Sequence, residues 1–161
     1  MNMRVYHFEE TEPHAVNEDE HYMREALKLA QKAFDEDEVP IGALIVSQGK
    51  IIGKGYNLTE RLHDVTAHAE MQAFTAAANY MGGKFLKDCT LYVTVEPCVM
   101  CAGASYWTQI SKIVYGAPDD KRGASRYGSL YHPKTQVCQG VLAEECVNLM
   151  QSFFRKKRSG K

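Results

Sequence analysis

The chain has 161 residues, 45% of them apolar and 24% charged, with a formal net charge of −1. That length supports one domain able to bury a core without staples, and the near-neutral balance excludes a protein coated in positive charge. No apolar run approaches the roughly 18 residues of a membrane span, and Met1–Glu10 lacks the basic-then-apolar pattern of a secretory signal.

Residues 1–17 show no clean periodicity and read as a partly ordered extension ahead of a single domain over 18–158, with a basic tail at 159–161. Asn17 followed by Glu20 has the form of a helix cap. Met23, Leu27, Ala30 and Phe34 then recur at helical spacing until Pro40. Ile41–Val46, a turn at Gln48-Gly49-Lys50 and Ile51–Tyr56 form a β-hairpin pattern. After a polar loop, Thr66 is placed to cap a helix over 67–80 that Gly82-Gly83 would end. TLYVTV at 90–95 is a strand bounded by Pro97. A short helix from Cys98 to about Trp107 and a strand over 112–116 follow. Residues 117–140 are irregular, with a weak strand near 136–138. In the last helix, predicted over 143–157, Cys146, Leu149, Met150, Phe153 and Phe154 form one apolar stripe. Strands alternating with helices after an opening hairpin imply a mixed sheet covered on both faces.

Five cysteines, an odd number in a chain of this size, argue against a disulfide framework, and the reducing cytoplasm is the expected compartment. Cys89, Cys138 and Cys146 read as core residues, and His7, His14 and His21 as surface residues. Charge is uneven: residues 1–20 hold six acids against Arg4, while Arg155–Lys161 holds five bases and no acid. Such a tail can touch phosphates or be a solvated terminus.

Two clusters carry chemistry: His68-Ala69-Glu70 and Pro97-Cys98-Val99-Met100-Cys101. Cys98 and Cys101, at i and i+3, share a helix face. In a first helical turn, free N–H groups and the dipole favour thiolate, the zinc-binding form. His68 would supply a third donor. Three protein ligands leave a tetrahedral position for water, the mark of a catalytic zinc. Glu70, two residues beyond His68, is placed to move that water's protons. A thioredoxin-like redox pair is the rival reading of Cys-x-x-Cys, but it leaves His68 and Glu70 unexplained.

His68-Ala69-Glu70 with Pro97-Cys98-Val99-Met100-Cys101 matches the signature of the zinc nucleoside deaminases. Glu38–Ala43, Thr66–Glu70, Leu91–Ala104 and Phe153-Phe154-Arg155 resemble the bacterial tRNA-specific adenosine deaminases, and the resemblance spans roughly residues 20–158. It implies a three-layer α/β/α sandwich of the cytidine-deaminase kind with a mixed five-stranded sheet. It also implies a homodimer, one zinc ion per subunit, and conversion of adenosine to inosine at the wobble position of a tRNA anticodon. By position, Asn57 would contact the flipped nucleoside, Ala69 would offer backbone groups to the base, Asp119 would lie near the RNA backbone, and Arg155 would approach the anticodon stem. The chain departs from the family at Val65, at Pro118 and in a shortened 125–140 segment, all away from the metal ligands. A deaminase of a free base such as guanine would need the same zinc site. A zinc-stabilised RNA-binding module without catalysis is a further alternative, which has no use for Glu70.

Overall fold

In the computed structural model, residues 13–160 are described, with side chains from residue 18 onward. Helix α1 spans Pro13–Asp35. Its start corrects the expected cap at Asn17, which lies inside the helix. Proline suits the first helical position, where the missing N–H has no intrahelical partner to lose. The boundary expected after residue 17 therefore falls within α1, and the earlier residues of that extension, His7 among them, lie outside the described ones.

The hairpin follows as β1 (Gly42–Ser47) and β2 (Lys50–Tyr56). Gln48 and Gly49, both at positive φ (51° and 73°), make the two-residue turn, and Lys50 already pairs with Ser47. Then come α2 (Ala69–Met81), β3 (Cys89–Val95), α3 (Val99–Thr108), β4 (Lys112–Ala117), a short 3₁₀ turn (Ala124–Tyr127), β5 (Gln136–Gln139) and α4 (Ala143–Ser159). The 3₁₀ turn lies in the stretch expected to be irregular. α2 begins two residues later than expected, and Thr66 does not cap it: the Thr66 hydroxyl donates to Asp64 Oδ1 at 2.7 Å. Gly82 ends α2 in the left-handed region (φ 71°), as the Gly82-Gly83 pair implies.

The strands form one five-stranded sheet in the order β2-β1-β3-β4-β5. β1 runs antiparallel to both neighbours, and β3, β4 and β5 are parallel. Alternation along the strands divides the core. Ala43, Ile45, Leu91, Val93, Ile113 and Tyr115 meet Ala69, Ala73, Phe74 and Ala77 of α2 and Ala102 of α3. Leu44, Val46, Tyr92 and Val114 meet Tyr22, Met23 and Ala26 of α1 and Cys146 of α4. This is the expected three-layer α/β/α sandwich. Cys89, Cys138 and Cys146 are buried as expected, and His21 is exposed.

Close contact between α2 and the hairpin sets the height of the site. A Cβ at Gly55 of β2 would collide with the carbonyl oxygen of Ala69, the first residue of α2. The small residues on both sides let the N-terminal end of α2 rest directly on the sheet.

Candidate active site

His68 is the N-cap of α2 and Cys98 the N-cap of α3, both with extended backbone, and neither side chain makes a capping hydrogen bond. The usual task of an N-cap side chain is to take an orphan helix N–H. These two instead turn toward each other across the end of the sheet. Cys101, one turn into α3, completes the group. His68 Nδ1 lies 3.5 Å from Cys98 Sγ and 3.5 Å from Cys101 Sγ, and all three donor atoms lie within 4.8 Å of one another. Tetrahedral bonds of about 2.3 Å to sulfur and about 2.05 Å to nitrogen place such atoms about 3.6 Å apart. The donor set therefore fits zinc in both chemistry and spacing, and Nδ1 is the nitrogen it presents.

The electrostatics point the same way. Cys98 is lowered to about 4, first by the hydrogen bond from the Cys101 thiol and then by His68, against the opposing effect of burial. Cys101, sharing a proton with Cys98 and itself buried, is pushed up. His68 is raised, first by its hydrogen bond to Cys98. A bound divalent cation resolves this competition by holding both sulfurs as thiolates. Glu70, only 4% exposed, is raised by burial. Burial thus favours the protonated form of this carboxyl group more than water would.

His68, Glu70 and Cys98 line a cleft of about 790 Å³, with Cys101 buried behind them. Asn57, Ala69, Asp119 and Arg155, the other residues singled out from the sequence, line it too. Asn57 is buried, and its Oδ1 accepts the Thr59 N–H at 3.2 Å. Ala69 opens α2, where a backbone N–H has no intrahelical acceptor. Asp119 Oδ1 accepts the N–H groups of Lys121 and Arg122 at 3.1 and 3.0 Å. The basic terminus divides between two surfaces. Arg155 and Arg158, one turn apart, face the cleft. Lys156 lies over the Phe34 ring of α1, and Lys157 bonds Asp37, in the turn just after α1, at 2.7 Å. Thr59, Glu96, Lys121 and Arg122 also line the cleft. Sequence reasoning left them without a role, although Glu96 directly precedes the Pro-Cys motif and could have been singled out by that adjacency.

A three-layer α/β/α fold with His-x-Glu and Cys-x-x-Cys at two facing helix starts defines a zinc-dependent deaminase. Residues 16–117 match the cytidine and deoxycytidylate deaminase zinc-binding region. The chain is 42% identical over 157 residues to a tRNA-specific adenosine deaminase of Streptococcus pyogenes serotype M18, covering 92% of this chain and 98% of that protein. It is also similar to a solved tRNA:A34 deaminase from work on A-to-I editing at the wobble position, at 39% identity and a TM-score of 0.75, over 80% of this chain and 98% of that one. A guanine deaminase from Bacillus subtilis shares 37% identity at a TM-score of 0.60, over 68% of this chain and 69% of that one. The chain belongs to this zinc deaminase family and, within it, to the tRNA-specific adenosine deaminases.

Proposed function

We propose that the chain hydrolyses adenosine to inosine at the wobble position of a tRNA anticodon and releases ammonia. The observation that carries this reading is the cleft itself: His68, Glu70 and Cys98 share it with a rim of Lys121, Arg122, Arg155 and Arg158. A free base has no phosphates to meet such a rim, whereas an anticodon loop presents both phosphates and an unpaired base that is cheap to extrude. The relatives named for tRNA support the same choice over guanine.

In this reading His68, Cys98 and Cys101 hold the zinc. When bound, zinc would supply the Lewis acidity that makes water a nucleophile near neutral pH. Glu70 accepts a proton from the attacking water and delivers it to N1 of the adenine. The water oxygen becomes bonded to C6; Glu70 then takes the second proton of that oxygen and passes it to the amino nitrogen, and the C6–N bond breaks to release ammonia and leave the C6 carbonyl of inosine. Asn57 and the Ala69 backbone orient the base, Asp119 borders the nucleotide, and Arg155 meets the backbone phosphates.

We read the assembly as a homodimer acting in the cytoplasm. Trp107, 76% exposed, and Tyr106, which meets it edge to face, form an aromatic surface on α3 that a second copy would cover. Sedimentation of Trp107→Glu should then report a monomer where wild type gives a dimer; a dimeric variant would remove Trp107 from the interface. The decisive test of substrate is incubation with an anticodon stem-loop bearing wobble adenosine and, separately, with free guanine. Inosine from the stem-loop is expected. Ammonia from guanine alone would transfer the chain to the base deaminases, and zinc-dependent RNA binding without ammonia would make it a binding module.

A further inference from the structure

Glu96 is the last residue before Pro97-Cys98 and is only 6% exposed. Its N–H donates to the Ala117 carbonyl at 2.8 Å, so its backbone extends the β3–β4 pairing to the end of the sheet. Its side chain crosses to the loop that follows β4. Oε1 accepts the Asp119 N–H at 3.2 Å. Oε2 accepts the Ser125 N–H at 3.0 Å and the Ser125 hydroxyl at 2.7 Å. The loop closes around this carboxylate, since Gly123 N–H donates to Asp119 O at 2.8 Å and Ala124 N–H to Pro97 O at 2.9 Å, while Cys98 bridges to Gly123. A Cβ at Gly123 would collide with the Glu96 carboxylate. The φ there is −65°, so closeness to Glu96, and not backbone conformation, requires the glycine.

We propose that Glu96 is a positioning residue that fixes the RNA-facing wall of the cleft, Asp119, Lys121 and Arg122, to the turn that delivers the metal ligand Cys98. The proposal takes its substrate from the tRNA reading above. The other ties of the wall are local ones: the Lys121 and Arg122 N–H groups donate to Asp119 Oδ1 and the Arg126 guanidinium to the Asp120 carbonyl, and 118–122 reads Pro-Asp-Asp-Lys-Arg, with no apolar anchor beyond the proline. Charged acceptors of backbone N–H groups are the stronger class of hydrogen bond, and a buried carboxylate persists only where such donors converge on it. All the groups that meet Glu96 are donors. One turn of chain thus sets the metal ligand and the substrate wall in a fixed relation, a relation that phosphate contacts need if they are to align the base with Glu70.

Glu96→Gln tests this, because an amide offers one acceptor oxygen and turns its NH₂ group against a facing N–H. Zinc content, hydrogen exchange and steady-state kinetics on the anticodon stem-loop are measured on the folded, zinc-loaded protein. Expected are wild-type zinc stoichiometry, exchange at least ~10-fold faster across 119–125 with α2 and α3 unchanged, and a KM raised at least ~10-fold with kcat within about threefold. A purely structural role would lower the melting temperature but leave the KM of the folded protein alone. Ser125→Ala, which removes only the hydroxyl bond, should shift exchange and KM in the same direction by less, and it decides the matter if Glu96→Gln does not fold. Unchanged exchange at 119–125, or a loss confined to kcat, overturns the proposal. If wild type does not act on the stem-loop, the tRNA reading fails, and exchange alone then decides whether Glu96 holds the wall.

Discussion

The floor and the wall of the cleft reach it by different means. His68 and Cys98 stand at the starts of α2 and α3, helices whose buried faces are packed on the sheet through Ala69, Ala73 and Ala102. Asp119, Lys121 and Arg122 stand on a loop tied by hydrogen bonds to one buried carboxylate and to the turn beside it. The floor is held by regular backbone, and the wall is held because Asp119 and Ser125 donate to Glu96 while Lys121 and Arg122 donate to Asp119. Damage to the floor should therefore abolish chemistry, whereas damage to the wall should loosen substrate alignment and spare the metal.

The largest effect tests the floor directly. Cys101→Ala removes a buried donor from the three-atom set, and the purified protein should carry well under stoichiometric zinc and lose turnover by at least ~1,000-fold, given the several kcal/mol that a Lewis acid supplies. Metal analysis and ammonia release measure both. Full zinc content in that variant would mean that another residue completes the site.

Glu70→Ala comes next and divides the floor into metal holding and proton transfer. Zinc should stay, because Glu70 belongs to no donor set with the two sulfurs and Nδ1. Turnover should fall at least ~100-fold, the usual scale for a positioned acid–base group. Near-wild-type turnover would reject the role assigned to this carboxyl group.

Gly123→Ala probes the wall. The added methyl group would meet the Glu96 carboxylate and, at 2.5 Å, the Asp119 carbonyl oxygen, and neither can retreat without losing hydrogen bonds. A stability loss of about 1–3 kcal/mol is expected, the range for overpacking, with zinc content unchanged. Denaturant unfolding measures it, and a midpoint equal to that of wild type would place the loop away from Glu96.

The same division explains what could be read from the sequence. The meeting of His68, Cys98 and Cys101 was legible because two short patterns state both residue type and helical register, and helix starts follow from the strand and turn signals around them. The strands around Leu44 and Val114 were legible as short apolar runs, and their alternation with helices along the chain implied that both faces of the sheet are covered. The start of α1 was not: Asn17 and Glu20 have cap chemistry, but Pro13 opens the helix one turn earlier. Nor was Thr66, whose hydroxyl is taken locally by Asp64. The role of Glu96 was invisible to periodicity because its partners lie more than 20 residues away, and two of the three are backbone donors that no side-chain pattern records.

The smallest effect concerns the rim, where the basic terminus contributes only part of its charge. Helical spacing puts Arg155 and Arg158 on one face, and that face borders the cleft, while Lys156 and Lys157 turn to Phe34 and Asp37 of the α1 end. Each phosphate contact to a single strand releases about 0.7 of a counterion. Arg155→Ala with Arg158→Ala should thus weaken stem-loop binding and make the slope of log affinity against log salt shallower by about 1.4. Lys156→Ala with Lys157→Ala removes the same formal charge from the same helix, yet should leave the slope nearly unchanged and cost a little stability through the lost Asp37 contact. Binding titrations over a range of salt concentrations compare the two pairs. Equal slopes in both double variants would mean that the tail acts through its net charge alone. A slope carried by Arg155 and Arg158 would mean that α4 presents phosphate contacts in register with the wall that Glu96 holds.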